Sequence, residues 1–346
     1  MSRLPTVSLP SWSEAVDWLR EVQVFYDLTM ARMPPVPRAR AMLRVARNQW
    51  GPWHGPTNLL IAVTDRCQCS CRHCGIRRSC NGGQDLPLGE IRRILQEFRD
   101  LGGVKFFVFG GEPLLRDDVA EIVRYATSLG LATVLNTNGL LLDAGRAREL
   151  ARAGLCVAEL SLDSVDPERF ARMRGVPGIL DKVTAAIRHC RAEGLPVGVI
   201  TYAYRENLDG GLQAIAGYCR REGVRAVRVL EPIAAGRWES AHSEILTADE
   251  LERLAGMMIP GFVHGESQGR KAGVCSAVKG DMLHVGADGR IQPCAYVPHP
   301  LGNALREPLS AVLPRLAELR RYGMARPGCP VNDPEFRRRF GLPLEE

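Results

Sequence analysis

The sequence predicts an α/β protein built from consecutive β–α units. From about residue 57, short β-branched or apolar runs alternate with amphipathic helical stretches. Six strands are predicted, at residues 59–64, 104–109, 132–135, 156–162, 196–201 and 225–230. Linking helices are predicted near residues 88–101, 117–129, 144–153, 179–193 and 208–222. Such units form parallel strands with right-handed crossovers. Periodicity alone does not distinguish a barrel from an open doubly wound sheet.

The residues before the first strand predict a helical extension over 1–56. Ser11 and Glu14 form a capping-box pattern ahead of an apolar helical stripe. An arginine-rich amphipathic stretch then runs to about Trp50. One interpretation is a helical lid packed on the barrel with its arginines in solvent. The alternative is an interfacial helix in weak contact with an anionic membrane surface, where Trp and Arg are the expected pair.

The β–α pattern is expected to stop after residue 245. A helix is predicted at residues 247–258, where Glu250 completes a second capping box. The remainder is rich in turn residues and carries three cysteines. We therefore predict three parts: a helical extension at 1–56, a β–α core at 57–240 and a smaller C-terminal region at 241–346.

Composition places the chain among ordinary globular proteins. Of its 346 residues, 45% are hydrophobic and 24% are charged, with a net charge of +6, which excludes disordered and fibrous classes. The longest apolar runs fall short of a membrane span, and no signal-peptide pattern is present. We expect a cytoplasmic protein that does not bind nucleic acid, because no broad basic surface or RNA-binding module is evident.

Cysteine usage points to metal chemistry. The chain has 11 cysteines, and a reducing compartment disfavours disulfides. Four of them, Cys67, Cys69, Cys71 and Cys74, directly follow the first strand. Four sulfurs could hold a structural zinc ion. Alternatively, the C-x3-C-x2-C subset of Cys67, Cys71 and Cys74 could hold three irons of a [4Fe–4S] cluster and leave the fourth iron open.

The motifs at the strand ends resemble those of the radical S-adenosylmethionine (SAM) superfamily. They are C-x3-C-x2-C with His73 before its last cysteine, Gly110-Gly111-Glu112-Pro113, Asn136-Thr137-Asn138-Gly139, Ser161-Leu162-Asp163, Arg174-Gly175, and Glu231-Pro232-Ile233 to Gly236-Arg237. The resemblance covers about residues 57–240. It implies a partial (β/α)6 TIM-like barrel with an N-terminal helical extension and a small C-terminal auxiliary-cluster domain.

The same resemblance implies the cofactors and their ligands. Cys67, Cys71 and Cys74 would bind a [4Fe–4S] cluster whose open iron chelates SAM. One electron would cleave SAM to a 5′-deoxyadenosyl radical that abstracts hydrogen from the substrate, with flavodoxin or ferredoxin as an electron donor. The residues expected to contact SAM are His73, Gly110, Gly111, Glu112, Pro113, Asn136, Asn138, Ser161, Asp163 and Arg174.

The C-terminal cysteines resemble the auxiliary-cluster region called SPASM, or its shorter form, twitch. Cys275, the Gly289-x4-Cys294 hairpin and Cys329 carry this resemblance, with Leu301-Gly302-Asn303 behind them. The central cysteine group of the full pattern is missing. The resemblance therefore implies one auxiliary [4Fe–4S] cluster, with an open iron or a fourth ligand such as His299 or Asp333.

The substrate is less constrained than the cofactors. Relatives with this C-terminal region imply a peptide or amino-acid-like substrate that is crosslinked, epimerised or oxidised. The alternatives are dehydrogenation or rearrangement of a small molecule (a sugar, cofactor precursor or lipid), and a non-enzymatic iron–sulfur scaffold. Strand alternation directs Glu159 inward, for an ion pair or for proton transfer. Tyr202 and Glu231 lie near strand ends, so these three are the candidate catalytic residues.

Overall fold

Six parallel strands pair in chain order. The computed structural model describes residues 29–50, 55–75, 83–238, 244–265, 275–323 and 329–341. Its first strands are β1 Asn58–Thr64, β2 Lys105–Gly110, β3 Ala132–Thr137, β4 Val157–Ser161, β5 Val197–Tyr202 and β6 Ala226–Leu230. Each is hydrogen-bonded to the next in parallel register. A doubly wound sheet would reverse its strand order at a switch point, so the chain forms a barrel-type sheet.

Helices precede and link these strands. They are α1 Pro35–Trp50, α2 Leu88–Asp100, α3 Val119–Ser128, α4 Ala144–Ala153, α5 Pro167–Arg174, α6 Ile179–Ala192, α7 Arg205–Leu208 and α8 Gly211–Arg221. In α2, for example, Ile91, Ile94, Leu95 and Phe98 are buried at helical spacing. The predicted linking helices are confirmed, although the last divides into α7 and α8. Helix α5 was not predicted.

The sheet continues beyond the six predicted units. Helix α9 Ala248–Gly256, with its capping box, confirms the predicted helix at 247–258. It leads into β7 Val263–Gly265, which pairs in parallel with β6. The expectation that the β–α pattern stops at residue 245 was therefore wrong. Strand β8 Met282–Val285 pairs in parallel with β1.

A hairpin and two helices complete the described C-terminal region. β9 Arg290–Gln292 pairs antiparallel with β8 and β10 Gly302–Asn303, which confirms the hairpin before Cys294. Helices α10 Leu313–Gly323 and α11 Pro334–Arg339 follow. Within the described residues the sheet ends at β10 and β7, which do not pair with each other. The barrel is thus partial.

Helix α1 closes the N-terminal end of the barrel. Met33, Ala41 and Val45 pack against Val104, Ala132 and Cys156, which lie at the starts of β2, β3 and β4. Arg44 donates hydrogen bonds to the carbonyls of Leu101 and Gly102. The predicted lid thus packs on the barrel at the end where the strands begin. The Ser11–Glu14 capping box lies outside the described residues.

Candidate functional site

The C-terminal ends of the strands surround a cavity of about 450 Å³. Its walls are formed by inward-facing side chains, which occur at every second residue of each strand. These lining residues include Leu60, Phe107, Phe109, Asn136, Ser161, Ile200, Tyr202, Arg228 and Leu230. The predicted catalytic residue Glu231 lines the same cavity.

The loop after β1 carries the first cysteine group into this cavity. Cys67, Cys69, Cys71 and Cys74 all line it. The backbone amides of Ser70 and Arg72 donate to the carbonyls of Arg174 and Met173, at 2.9 Å each. The last turn of α5 therefore holds the loop in place.

Arg237 holds the same loop from the far side of the barrel. Its amide donates to the carbonyl of Cys74 at 3.0 Å. Its guanidinium donates to the carbonyls of Ser70 and Cys71 at 2.8 and 3.1 Å. The sequence predicted Arg237 only as part of a motif, and the signal for its role is its position just after β6.

Hydrogen-bond donors surround the sulfur atoms of the loop. Cys67 Sγ accepts from the Cys69 amide at 3.4 Å and from Asn138 Nδ2 at 4.0 Å. Arg174 Nη1 donates to Cys71 Sγ at 3.6 Å. A hydrogen bond from Cys69 and the charge of Arg174 together lower the pKa of Cys71 to about 6, against the opposing effect of burial. Donors and a cation favour the thiolate, the form that binds metal.

The thiolates therefore have the chemistry that an iron–sulfur cluster needs. Within the described residues, no three His, Cys, Asp or Glu side chains converge on one point in the manner of a single-ion site. A [4Fe–4S] cluster does not need that convergence, because each thiolate binds a different iron.

Two glycines bring the loop after β2 against the β1 loop. A Cβ on Gly110, whose φ is +138°, would lie 2.2 Å from the carbonyl oxygen of Thr64. A Cβ on Gly111 would lie 2.3 Å from that of Arg66. Only residues without a side chain allow this approach. Both glycines also line the cavity, leaving backbone accessible to a ligand.

Glu112 connects the second and third strand ends. Its carboxylate accepts from Thr137 Oγ1 at 2.7 Å, the Asn138 amide at 2.8 Å and the Leu114 amide at 3.1 Å. Burial raises its pKa, and these hydrogen bonds oppose that rise. Neither Glu112 nor Pro113 lines the cavity. Glu112 thus positions Asn138, which does line it.

A buried ion pair underlies the cysteine loop. Arg174 Nε donates to Asp163 Oδ2 at 2.6 Å, and the Asp163 side chain is 0% exposed. His73 Nε2 lies 3.7 Å from the same oxygen. Burial lowers the pKa of His73 to about 4. Arg174 and His73 line the cavity, whereas Asp163 lies behind them.

The C-terminal cysteines face the same cavity. Cys275, Cys294 and Cys329 all line it. Tyr296, two residues after Cys294, packs so closely on Gly75 that a Cβ there would lie 2.7 Å from its ring. The hydroxyls of Tyr296 and Tyr202 are 3.2 Å apart. Sequence reasoning missed Tyr296, although its closeness to Cys294 was a usable signal.

The proposed fourth ligands do not line the cavity. The Asp333 carboxylate accepts from the Glu335 amide at 2.9 Å at the start of α11. The ring of His299 packs on Phe340. Cys69 also lines the cavity.

The three candidate catalytic residues occupy different environments. Glu159 Oε2 forms an ion pair with Arg228 Nη2 at 2.5 Å and accepts from Asn136 Nδ2 at 3.2 Å. The structure thus shows the ion-pair alternative for Glu159, which does not line the cavity. Tyr202 and Glu231 line it, and the ring centroids of Tyr202 and His73 are 4.4 Å apart with the rings tilted by 45°.

Fold and site together define a class of protein: a partial (β/α) barrel enzyme with cysteine thiolates at the C-terminal ends of its strands. The radical SAM superfamily matches residues 61–215. The PqqA peptide cyclase of Streptomyces rochei is 32% identical over 281 residues, covering 74% of this chain and 75% of that protein. The AdoMet-dependent heme synthase of Oleidesulfovibrio alaskensis is 29% identical over 202 residues, covering 58% and 52%.

The fold resembles that of Streptococcus suis SuiB bound to its precursor peptide SuiA, with a TM-score of 0.66 and 16% identity over 85% of this chain and 76% of that one. The chain spans about half the length of the heme synthase it matches. The chain belongs to the radical SAM superfamily, whose members use a [4Fe–4S] cluster and SAM.

Proposed function

We propose that this radical SAM enzyme modifies a peptide by abstracting hydrogen from one of its residues. The observation that carries the proposal is the single cavity of about 450 Å³ that both cysteine groups line. Sites of roughly 300–1,000 Å³ bury one drug-sized ligand. A peptide substrate places one side chain in such a cavity and leaves the rest of its chain outside.

The similarity to the PqqA peptide cyclase and the fold of SuiB support a peptide as the substrate. The cofactor, when bound, supplies a carbon-centred radical at the cluster. Asn138 and Arg174 direct donors at Cys67 and Cys71, and Gly110 and Gly111 offer backbone groups to the polar end of SAM. Tyr202 and Tyr296 place two hydroxyls where the substrate residue enters.

A second candidate is a small cofactor precursor, which is supported by the similarity to the heme synthase. Deuterium transfer separates the two. The source cells are grown on deuterated medium, and their extract is divided into a peptide fraction and a small-molecule fraction. Each fraction is given to the anaerobically reconstituted enzyme with unlabelled SAM, and 5′-deoxyadenosine is analysed by mass spectrometry.

We expect deuterium in 5′-deoxyadenosine only with the peptide fraction. The Cys67→Ala/Cys71→Ala/Cys74→Ala variant is the control and should form no product. Label from the small-molecule fraction alone would contradict a peptide substrate and support the second candidate. Unlabelled 5′-deoxyadenosine with the peptide fraction would also contradict the proposal.

A further inference from the structure

Helix α1 presents an apolar and basic stripe to solvent. The described residues contain five exposed large hydrophobic side chains, and three of them, Val36, Met42 and Leu43, belong to this helix. Val36 is 61% exposed and Leu43 is 67% exposed. Such concentration on one short helix is unusual, because exposed apolar residues normally occur singly.

Helical geometry groups this stripe with arginines. Val36, Arg40, Leu43 and Arg47 recur at intervals of four, three and four residues, so they share one face. All four are exposed. The opposite face carries Ala41 and Val45, which pack on the barrel. The helix contains no acidic residue.

Two further arginines of this region, Arg44 and Arg32, anchor the helix to the rest of the protein. Arg44 binds the carbonyls of Leu101 and Gly102. Arg32 donates to the carbonyls of Gly194 and Ala151 at 2.7 and 3.2 Å. These anchors fix α1 on the barrel, so the stripe is presented by a rigid support.

We propose that the stripe Val36–Arg40–Leu43–Arg47 docks the enzyme on the surface of an anionic membrane. Binding of a helix at a membrane interface increases with the apolar area that it buries and with its electrostatic attraction to anionic lipids, and the stripe supplies both apolar side chains and arginines. Within the described residues no helix is long and apolar enough to span a bilayer, so the attachment is peripheral.

The position of α1 makes docking compatible with catalysis. Its contacts Val104, Ala132 and Cys156 lie where strands begin, whereas the cavity lies where strands end. An enzyme resting on α1 therefore keeps its cavity away from the lipid. Docking through α1 therefore does not insert the active site into the membrane.

Vesicle flotation with the full chain tests the proposal. Wild-type protein is mixed with vesicles of phosphatidylcholine and phosphatidylglycerol, or of phosphatidylcholine alone. We expect binding only to the anionic vesicles. The variant Arg40→Glu/Leu43→Ser should bind more weakly by about tenfold or more, since one arginine near such a surface contributes about fivefold and a buried leucine adds to it.

A matched control uses the exposed pair Leu305 and Arg306 in the turn after β10. Leu305→Ser/Arg306→Glu makes the same change in charge and hydrophobicity away from α1, and it should bind like the wild type. Equal loss in both variants, binding to neutral vesicles alone, or no anionic binding would overturn the proposal. Cleavage of SAM in solution should be unchanged in both variants, which separates docking from catalysis.

Discussion

At the level of single residues, we expect disruption of the buried ion pair of Asp163 and Arg174 to cause the largest loss in the free energy of unfolding. Asp163→Asn keeps the shape of the side chain and leaves the Arg174 charge buried without its carboxylate partner. Removing one member of a buried pair costs about 3–5 kcal/mol. We expect chemical denaturation to show a loss of about 3 kcal/mol or more in the free energy of unfolding.

The pair of Asp209 and Arg253 provides the control, because its side chains are 79% and 53% exposed. Asp209→Asn should change the free energy of unfolding by no more than about 1 kcal/mol. Similar losses in the two variants would show that burial of Asp163 and Arg174 does not determine the cost.

A second residue-level prediction concerns His284, which is 2% exposed. Burial lowers its pKa to about 4, against about 6.5 in the unfolded chain. As the pH falls, His284 therefore binds a proton in the unfolded chain before it does so in the folded chain. The free energy of unfolding decreases over the pH range between these two pKa values. Between about pH 7.5 and about pH 5, His284 should account for a loss of about 2 kcal/mol.

His284→Gln tests this pH dependence by urea unfolding at the two pH values. The variant should lose about 2 kcal/mol less than the wild type over the interval. His73 and His264, whose pKa values burial also lowers to about 4, keep a residual dependence in the variant. An unchanged difference between the two pH values would contradict the prediction.

Residue types and spacing predicted which side chains gather at the strand ends, but not how they pair. The members of such pairs are 25 residues or more apart: Glu112 accepts hydrogen bonds from Thr137 and Asn138, and Glu159 pairs with Arg228. The second pair spans β5, whose Gly198 leaves room because a Cβ there would lie 3.3 Å from Glu159 Cγ. Pairings of this kind depend on tertiary register, which a single sequence does not encode locally.

At the level of elements, the end of α5 controls the cysteine loop. Gly175 ends this helix with φ +69°, and a Cβ there would lie 1.9 Å from Ser70 Oγ. Gly178 has a similar φ of +67° with nothing within 4 Å. Both alanine variants acquire left-handed strain of about 1–2 kcal/mol, but only Gly175→Ala also forces Ser70 of the cysteine loop to move.

Iron per chain after reconstitution, measured beside thermal unfolding, should separate the two variants. Gly178→Ala should keep wild-type iron and lose only stability. Gly175→Ala should lose more stability and retain less iron, because the loop carrying Cys71 moves with Ser70. Equal iron contents would contradict a positioning role for the end of α5.

Long, periodic elements were predicted more successfully than short ones. The six strands of the barrel each have five to seven residues, and their apolar runs are enclosed by the outer helices. The 8-residue helix α5, the C-terminal helices α10 and α11, and the strands β7 and β10, of three and two residues, were missed. Most of these elements are short and carry too few residues for a periodic signal.

At the scale of the whole molecule, the two ends of the barrel have different roles. The N-terminal end is closed by α1 and bears the apolar and basic stripe. The C-terminal end collects two cysteine groups that are about 200 residues apart in the chain, because β8 pairs with β1 and so brings Cys275 and Cys294 beside the first loop. The pairing of β8 with β1 therefore brings the two cysteine motifs to the same cavity.

Iron counting tests whether each cysteine group binds its own cluster. After anaerobic reconstitution, the wild type should carry about eight irons, and Cys67→Ala/Cys71→Ala/Cys74→Ala about four. Cys275→Ala/Cys294→Ala/Cys329→Ala should also carry about four.

The buried core thiols Cys190 and Cys219 supply the control, since their alanine variants should keep the wild-type count. Adding SAM should perturb the Mössbauer spectrum only where Cys67, Cys71 and Cys74 are intact. A C-terminal variant with undiminished iron would show that those cysteines bind no cluster, and zinc in place of iron would refute both sites.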